Sequence, residues 1–233
     1  VCTGSVSDSI TAFKAGADRI ELNCALELGG LSPSPGTLSE TVESVSIPVI
    51  AMVRPHPGGF SYSRREKAAM LADIDFFLSR GASGIAAGAT LPSGGVDTGF
   101  MKEIRKLAGN CQLVFHRAFD LLPDAMETAS LLAELGVDRI LTSGRRRTAL
   151  EGKETIRNLI QGMGNRMEIL PGAGISSGNV EALVESTGCR AVHGSFSAPV
   201  SFPESEPGVL PSQGIGTCAI EILKVIKALG RSL

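Results

Sequence analysis

The chain has no tryptophan, a single tyrosine and only 4% aromatic residues. That scarcity argues against base-stacking platforms and aromatic sugar-binding clefts, which need exposed rings. It also lacks an excess of charge of either sign: 22 basic against 24 acidic residues give a formal net charge of −2. No broad positive field exists to gather phosphate backbones or anionic lipid, so neither nucleic acid nor a membrane is expected as a partner. Long apolar runs are missing as well. The longest, such as Pro48–Val53, fall far short of the ~18 residues a membrane helix needs. Five cysteines (Cys2, Cys24, Cys111, Cys189, Cys218) are scattered without a CxxC pair. A disulfide scaffold is thereby excluded and a reducing compartment expected. Because the first residue is Val1 and not Met, the native start is expected to lie upstream.

What the chain does have is apolar mass and glycine. At 43% hydrophobic residues over 233 positions it can bury a substantial core. Glycine occurs 28 times, well above the ~7% average and with no collagen period. Many chain reversals, or backbone brought close to a ligand, account for such an excess.

An internal repeat points to the architecture. Gly followed by a small residue, two positions, then a β-branched residue recurs at Gly16–Ile20, Gly81–Ile85, Gly136–Ile140 and Gly188–Val192. In each copy the glycine ends a helix and the chain enters a buried strand. The copies start 65, 55 and 52 residues apart, and a βα unit takes about 30 residues, so each interval holds two units and the chain holds eight. The expected fold class is α/β, a single-domain (β/α)8 barrel of the TIM type over 1–233. An open doubly wound sheet is the alternative, but the regular two-unit period favours closure. Strands are expected near Val1–Thr3, Arg19–Asn23, Val49–Arg54, Gly84–Ala87, Leu113–His116, Arg139–Thr142, Met167–Leu170 and Arg190–His193. Capping boxes are expected at Thr37–Glu40 and Ser63–Glu66, and a first helical turn at Pro123–Asp124. A last helix over about Thr217–Leu229 would bury Ala219, Ile222, Leu223 and Ile226. Residues 199–216, with Pro199, Pro203, Pro207, Pro211, Glu204 and Glu206, read as a surface loop, or more sharply as a lid or subunit-contact arm.

In a barrel the chemistry sits at the carboxyl ends of the strands. Period-two alternation turns Arg19, Glu21 and Asn23 inward on the second strand, Arg54 on the third, His116 on the fifth and His193 on the eighth. Glu21, Arg54, His116 and His193 are therefore the candidate catalytic set, with Cys2 a further inward candidate. The plainer reading is a hydrogen-bonded polar layer closing the barrel top. After the seventh and eighth strands, Gly172, Gly174, Gly194 and Ser195 form a candidate anion-binding backbone, glycine letting an oxyanion reach the amides. Two tight turns are the plainer reading there. Cys2 and Cys24 lie on neighbouring strands, and thiolates favour Cu(I), although Cys24 has the opposite parity to Glu21. Arg145–Arg147 would either steer an anion inward or form a solvated loop face.

Several of these motifs resemble the CutC copper homeostasis family: Gly16–Leu22 with Gly29-Gly30, Met52-Val53-Arg54-Pro55, Phe115–Asp120, Leu141–Gly144 with Ala149–Gly152, and Leu170–Ile175. They run in family order from Val1 to about Ser195. The resemblance implies a TIM-like barrel, a cytoplasmic setting, a homodimer or homotetramer, and a role in copper homeostasis with Cu(I) as the metal. In members that bind Cu(I), one cysteine lies in the first strand and another directly after the Arg-Ile-Glu-Leu strand. Cys2 matches the first position, whereas Asn23 occupies the second and Cys24 is displaced by one. The segment at 199–211 also departs from the family pattern. Two functions follow: a copper-handling protein using Cys2 and Cys24, or a lyase- or isomerase-like enzyme acting on a small phosphorylated or carboxylated molecule.

Overall fold

Seven short runs of small and β-branched residues pair in parallel, each strand beside the next in chain order, in a computed structural model that describes residues 1–201 and 213–231. They are β1 (Cys2–Thr3), β2 (Ile20–Leu22), β3 (Val49–Met52), β4 (Gly84–Ala87), β5 (Gln112–Phe115), β6 (Arg139–Thr142) and β7 (Glu168–Pro171). The helices between them are α1 (Val6–Lys14), α2 (Pro35–Ser44), α3 (Arg64–Ser79), α4 (Thr98–Ala108), α5 (Ala125–Glu134), α6 (Lys153–Met163) and α7 (Val180–Thr187). β2, β3, β4 and β6 are buried throughout. Burial on both faces is what a parallel strand between a lumen and a helical shell requires.

The expected eighth strand, Arg190–His193, does not form as a strand. The chain touches β7 through the His193 N–H on the Pro171 carbonyl (2.8 Å), and the Cys2 N–H donates to the Gly194 carbonyl (3.0 Å). These two bonds close the barrel between β7 and β1. A ladder does not extend because Phe196, at φ 42°, turns the chain away almost at once. It then enters an antiparallel hairpin of β8 (Ser197–Ser201) and β9 (Gln213–Thr217). The segment expected to be a loop at 199–216 thus has paired flanks. Its prolines Pro203, Pro207 and Pro211, with Glu204 and Glu206, lie outside the described residues. The hairpin is tied to α1 by the Thr217 N–H, which donates to Asp8 Oδ1 (2.8 Å).

Two apolar layers hold the sheet. Ile50, Met52, Ala86, Val114, Leu141 and Leu170 fill the lumen. Their alternates, among them Val49, Ala51, Ile85, Phe115 and Ile140, pack against the helices. The alternation expected for β3 and β5 is the one observed.

Helix starts follow local chemistry. Ser63 and Glu66 form the expected capping box. Asp124 caps α5 through the Glu127 N–H (2.8 Å), one step outside the expected first turn. The expected box at Thr37–Glu40 does not form. Pro35, suited to the first helical position, starts α2 earlier, and Ser34 Oγ accepts the Thr37 N–H (3.1 Å). The last helix, α8, runs Ala219–Ala228 and not from Thr217, which β9 claims. It buries Ile222, Val225 and Ile226 and leaves Leu223 partly exposed. No described helix is long and apolar enough to cross a membrane.

Tight strand packing makes one glycine obligatory. A Cβ on Gly84 would stand 2.3 Å from the Gln112 carbonyl in the adjoining strand, whereas nothing lies within 4 Å of one on Gly36 in α2. Gly84→Ala is therefore expected to destabilise by about 2–4 kcal/mol through forced strand separation. Gly36→Ala should be neutral or stabilising by up to ~1 kcal/mol. Chemical-denaturation midpoints check both, and equal midpoints for the two variants contradict the packing described for β4 and β5.

Candidate functional site

Period-two alternation on β2, continued into the turn, aims Glu21 and Asn23 at the carboxyl end of the lumen. The same alternation from Ile50 and Met52 brings Arg54 there, and that from Val114 brings His116. A cavity of about 490 Å³ opens at this end, and Cys2, Glu21, Asn23, Arg54, His116 and His193 all line it. The candidate catalytic residues read from the sequence are thus brought together.

Their roles differ from one another. Arg54 is 7% exposed, yet makes no ion pair among the described residues. Its Nη1 donates to the carbonyls of Leu28 and Gly30 (3.1 Å each), and its Nη2 to those of Pro57 (3.0 Å) and Gly58 (3.2 Å). Four of its five N–H groups therefore hold the loops after β2 and β3. Phe60 packs against the guanidinium, 5.1 Å from ring centre to Cζ.

His116 is buried, and its Nδ1 accepts the Ala118 N–H (3.3 Å). The proton of the neutral ring therefore sits on Nε2. Burial, reinforced by the nearby Arg54 charge, pushes its pKa down to about 3. It stays neutral at any ordinary pH and is a hydrogen-bond donor, not a base.

His193 and Glu21 form the close pair. Nε2 of the histidine lies 3.6 Å from Oε1 of the glutamate, and the two residues flank β1 on either side. Burial lowers the pKa of His193, and the Glu21 charge works against that shift. Asn23 steadies the carboxylate, its Nδ2 donating to the Glu21 carbonyl (3.0 Å) and reaching Oε1 at 3.4 Å. Gly30, at φ +83°, makes room for this amide: a Cβ there would come within 2.4 Å of Asn23 Oδ1.

The two candidate metal ligands separate. Cys2 lines the cavity beside Glu21, and burial pushes its thiol up to about 12. Cys24 is not among the lining residues; its Sγ donates to the Ser32 carbonyl at 3.0 Å within the small bridge to Leu31. The parity of β2 explains the divergence. A two-thiolate donor set does not fit this geometry. Among the described residues no group of three His, Cys, Asp or Glu side chains stands ready for a metal.

The anion-binding candidates divide as well. Gly174, Gly194 and Ser195 line the cavity with Ala173 and Ile175. The backbone N–H groups of Gly174, Ile175, Gly194 and Ser195 have no partner among the described residues. Ala173 (φ 84°) and Gly174 (φ 68°) are consecutive left-handed residues, a conformation that turns amides outward from a loop. Gly172 does not join them, because its N–H donates to the Thr142 carbonyl (2.9 Å) as part of the barrel ladder.

Arg117 also lines the cavity, and alternation misses it because it lies in a 3-10 turn (Arg117–Leu121) after β5. Asp120 orients it, accepting from Nε (2.9 Å), and Ser143 Oγ accepts from Nη2 (3.0 Å). Asp120 also accepts from Thr142 Oγ1 (2.5 Å) and from the N–H groups of Ser143 and Arg145 (3.2 Å each). The paired motifs at 115–120 and 141–144 are therefore two halves of one brace, a signal visible in the sequence only as polar residues after two strands. Arg145 and Arg146 border a separate surface depression with Asp124 and Asn158, away from the glycine loops.

A family model described as CutC family matches residues 1–198. The chain is 42% identical over 193 residues to the family protein CutC of Treponema denticola, covering 83% of this chain and 78% of that one. It is 37% identical to the family protein CutC of Caulobacter vibrioides, with coverage of 98% and 95%. The crystal structure of a Streptococcus agalactiae CutC, named for copper homeostasis, superposes with a TM-score of 0.79 at 30% identity, over 83% of this chain and 95% of that one.

Burial lowers the pKa of both cavity histidines, so their folded values lie below the ~6.5 of an unfolded histidine. Below that pH the unfolded chain binds more protons than the folded one. Stability is then fully present above about pH 6.5 and falls as pH drops, by about 1 kcal/mol in the first unit for His116, with His193 adding to the loss in the same direction. Urea unfolding between pH 7 and 5 should show this slope, and His116→Gln should remove one histidine's share. An unchanged slope in the variant contradicts a neutral buried His116.

Proposed function

The chain belongs to the CutC family, and from the chemistry of its C-terminal cavity we propose that it acts on a small phosphorylated or carboxylated molecule by acid–base catalysis. The observation that carries this reading is the Glu21–His193 pair, 3.6 Å apart in the same cavity as the unpartnered amides of Gly174, Gly194 and Ser195. The amides and Arg117 take the anionic group, in the manner of backbone N–H cradles and charge-assisted bonds. Glu21 and His193 exchange the proton, the glutamate as base and the histidine as its relay. Arg54 shapes the mouth by holding two loops, and His116 supplies a neutral donor. A homodimer or homotetramer in a reducing cytoplasm belongs to the same proposal, the second part supported by five free cysteines.

Copper handling is the second reading. It is favoured by the name of the Streptococcus agalactiae relative and by Cys2, the thiol that lines the cavity next to Glu21. This reading draws on Cys2 and not on Cys24, whose Sγ donates to the Ser32 carbonyl.

The two readings separate in solution. Thermal-shift titration with small phosphorylated and carboxylated compounds should find at least one that raises the melting temperature, with affinity at least about tenfold weaker in Arg117→Met. No stabilising compound, or affinity untouched in that variant, overturns the anion reading. For copper, anaerobic competition of the reduced protein against a chromophoric chelator decides. One Cu(I) held tighter than about micromolar and lost in Cys2→Ser supports the second reading, whereas uptake that survives Cys2→Ser removes it from the cavity.

A further inference from the structure

Two buried donors on residues that line the cavity are left without acceptors among the described residues: Nε2 of His116 and Nε of Arg54. Both residues are more than nine-tenths buried, at 3% and 7% exposure, and both line the cavity. A buried N–H with no partner forfeits its hydration without replacement, so folded proteins leave few of them without a use. The His116 ring is fixed in its plane. Its Nδ1 accepts the Ala118 N–H, and its Nδ1–Cε1 edge lies so close to Gly88 that a Cβ there would stand 2.7 Å from both atoms. Phe60 covers both groups, 4.9 Å from the His116 ring and 5.1 Å from the Arg54 guanidinium carbon. The remaining N–H groups of Arg54 go to neutral carbonyls, so no described carboxylate forms an ion pair with it.

Donors without acceptors, an uncompensated positive charge and an apolar cover define the ligand atom that fits. It accepts hydrogen bonds, has no proton to donate, and gains negative charge during the reaction. A carbonyl oxygen becoming an enolate oxygen meets all three conditions. A neutral imidazole N–H is suited to this task, since it polarises the carbonyl without surrendering its proton.

We propose that His116 Nε2–H, backed by the Arg54 guanidinium, binds the carbonyl oxygen of a small ketone or aldehyde whose anionic group sits on the Gly174 and Gly194–Ser195 amides, while Glu21 removes a proton from the adjacent carbon. The proposal rests on the acid–base reading above and specifies its substrate as a carbonyl compound. In the step, the C–H bond breaks and its proton goes to a Glu21 carboxylate oxygen. The electron pair it leaves becomes the new C=C bond, and the carbonyl π pair moves onto oxygen. Return of the proton from Glu21 to carbon reverses the charge transfer, so no oxidant, reductant or second substrate is consumed.

Titration calorimetry with ethyl phosphate and phosphoglycolohydroxamate tests it. The two probes share the phosphate, and only the hydroxamate presents the paired oxygens of an enediolate. Both should bind, the hydroxamate at least about a hundredfold tighter. That advantage should vanish in His116→Phe and persist in part in His116→Gln, whose amide still donates. Equal affinities overturn the carbonyl site while leaving anion binding and acid–base chemistry standing. Failure of both probes to bind overturns this inference together with the anion site beneath it. In the unmodified protein, the Nε2 proton resonance of nitrogen-15-labelled His116 should move downfield with the hydroxamate and not with ethyl phosphate. A resonance that ignores both probes counts equally against the proposal, whatever the variants do.

Discussion

The guanidinium of Arg54 is the fixed point from which the mouth of this barrel is built. Taking a charge out of water is costly unless hydrogen bonds replace the lost hydration. Here four backbone carbonyls do so, two from the loop after β2 and two from the loop after β3. The choice of carbonyls over a carboxylate has two consequences. The loops are locked in place, so Phe60 is held over His116. The positive charge also stays unneutralised inside the site, which reinforces burial in keeping His116 unprotonated.

A second brace works on the far side of the cavity. Asp120 gathers donors from Arg117, Thr142, Ser143 and Arg145 and so ties the turn after β5 to the loop after β6. That loop in turn supports the next one, through the Ala149 N–H on the Ala173 carbonyl (3.0 Å) and the contact of Thr148 with Gly174. The left-handed Ala173–Gly174 step is therefore held from outside, the usual condition for such backbone at a binding surface. At the opposite end of the lumen Arg139 pairs with Glu168 (2.5 Å) and reaches Gln112 (3.2 Å), a polar plug distinct from the mouth. Apolar lumen residues lie between the two polar layers, while a second cavity lined by Glu21, His193, Arg139 and Glu168 connects them along one side of the lumen.

Family membership and geometry emphasise different residues. The family resemblance points to cysteines, yet parity sends Cys2 and Cys24 to different environments, and Asn23, just before Cys24, steadies Glu21. The pair that the fold brings together is a carboxylate and an imidazole. This is the arrangement expected of proton transfer more than of a soft metal.

Much of the fold was legible in the chain. The fourfold Gly-small repeat placed seven of the eight expected strands, because helix endings and buried strand entries demand those residue types locally. Alternation then aimed Glu21, Arg54 and His116 correctly, since a strand's two faces follow from covalent geometry alone. His193 was also placed at the mouth, although its strand failed to form, because one hydrogen bond to Pro171 holds it there. What the sequence could not supply were the partners. That Arg54 serves carbonyls, that Glu21 meets His193 and not His116, that Gly172 is spent on the ladder, and that Arg117 enters the cavity from a turn all depend on contacts between residues distant in the chain. Local sequence determines which way a side chain points; only closure of the barrel decides what it meets, because hydrogen bonding and desolvation are settled by neighbours that the chain brings together last.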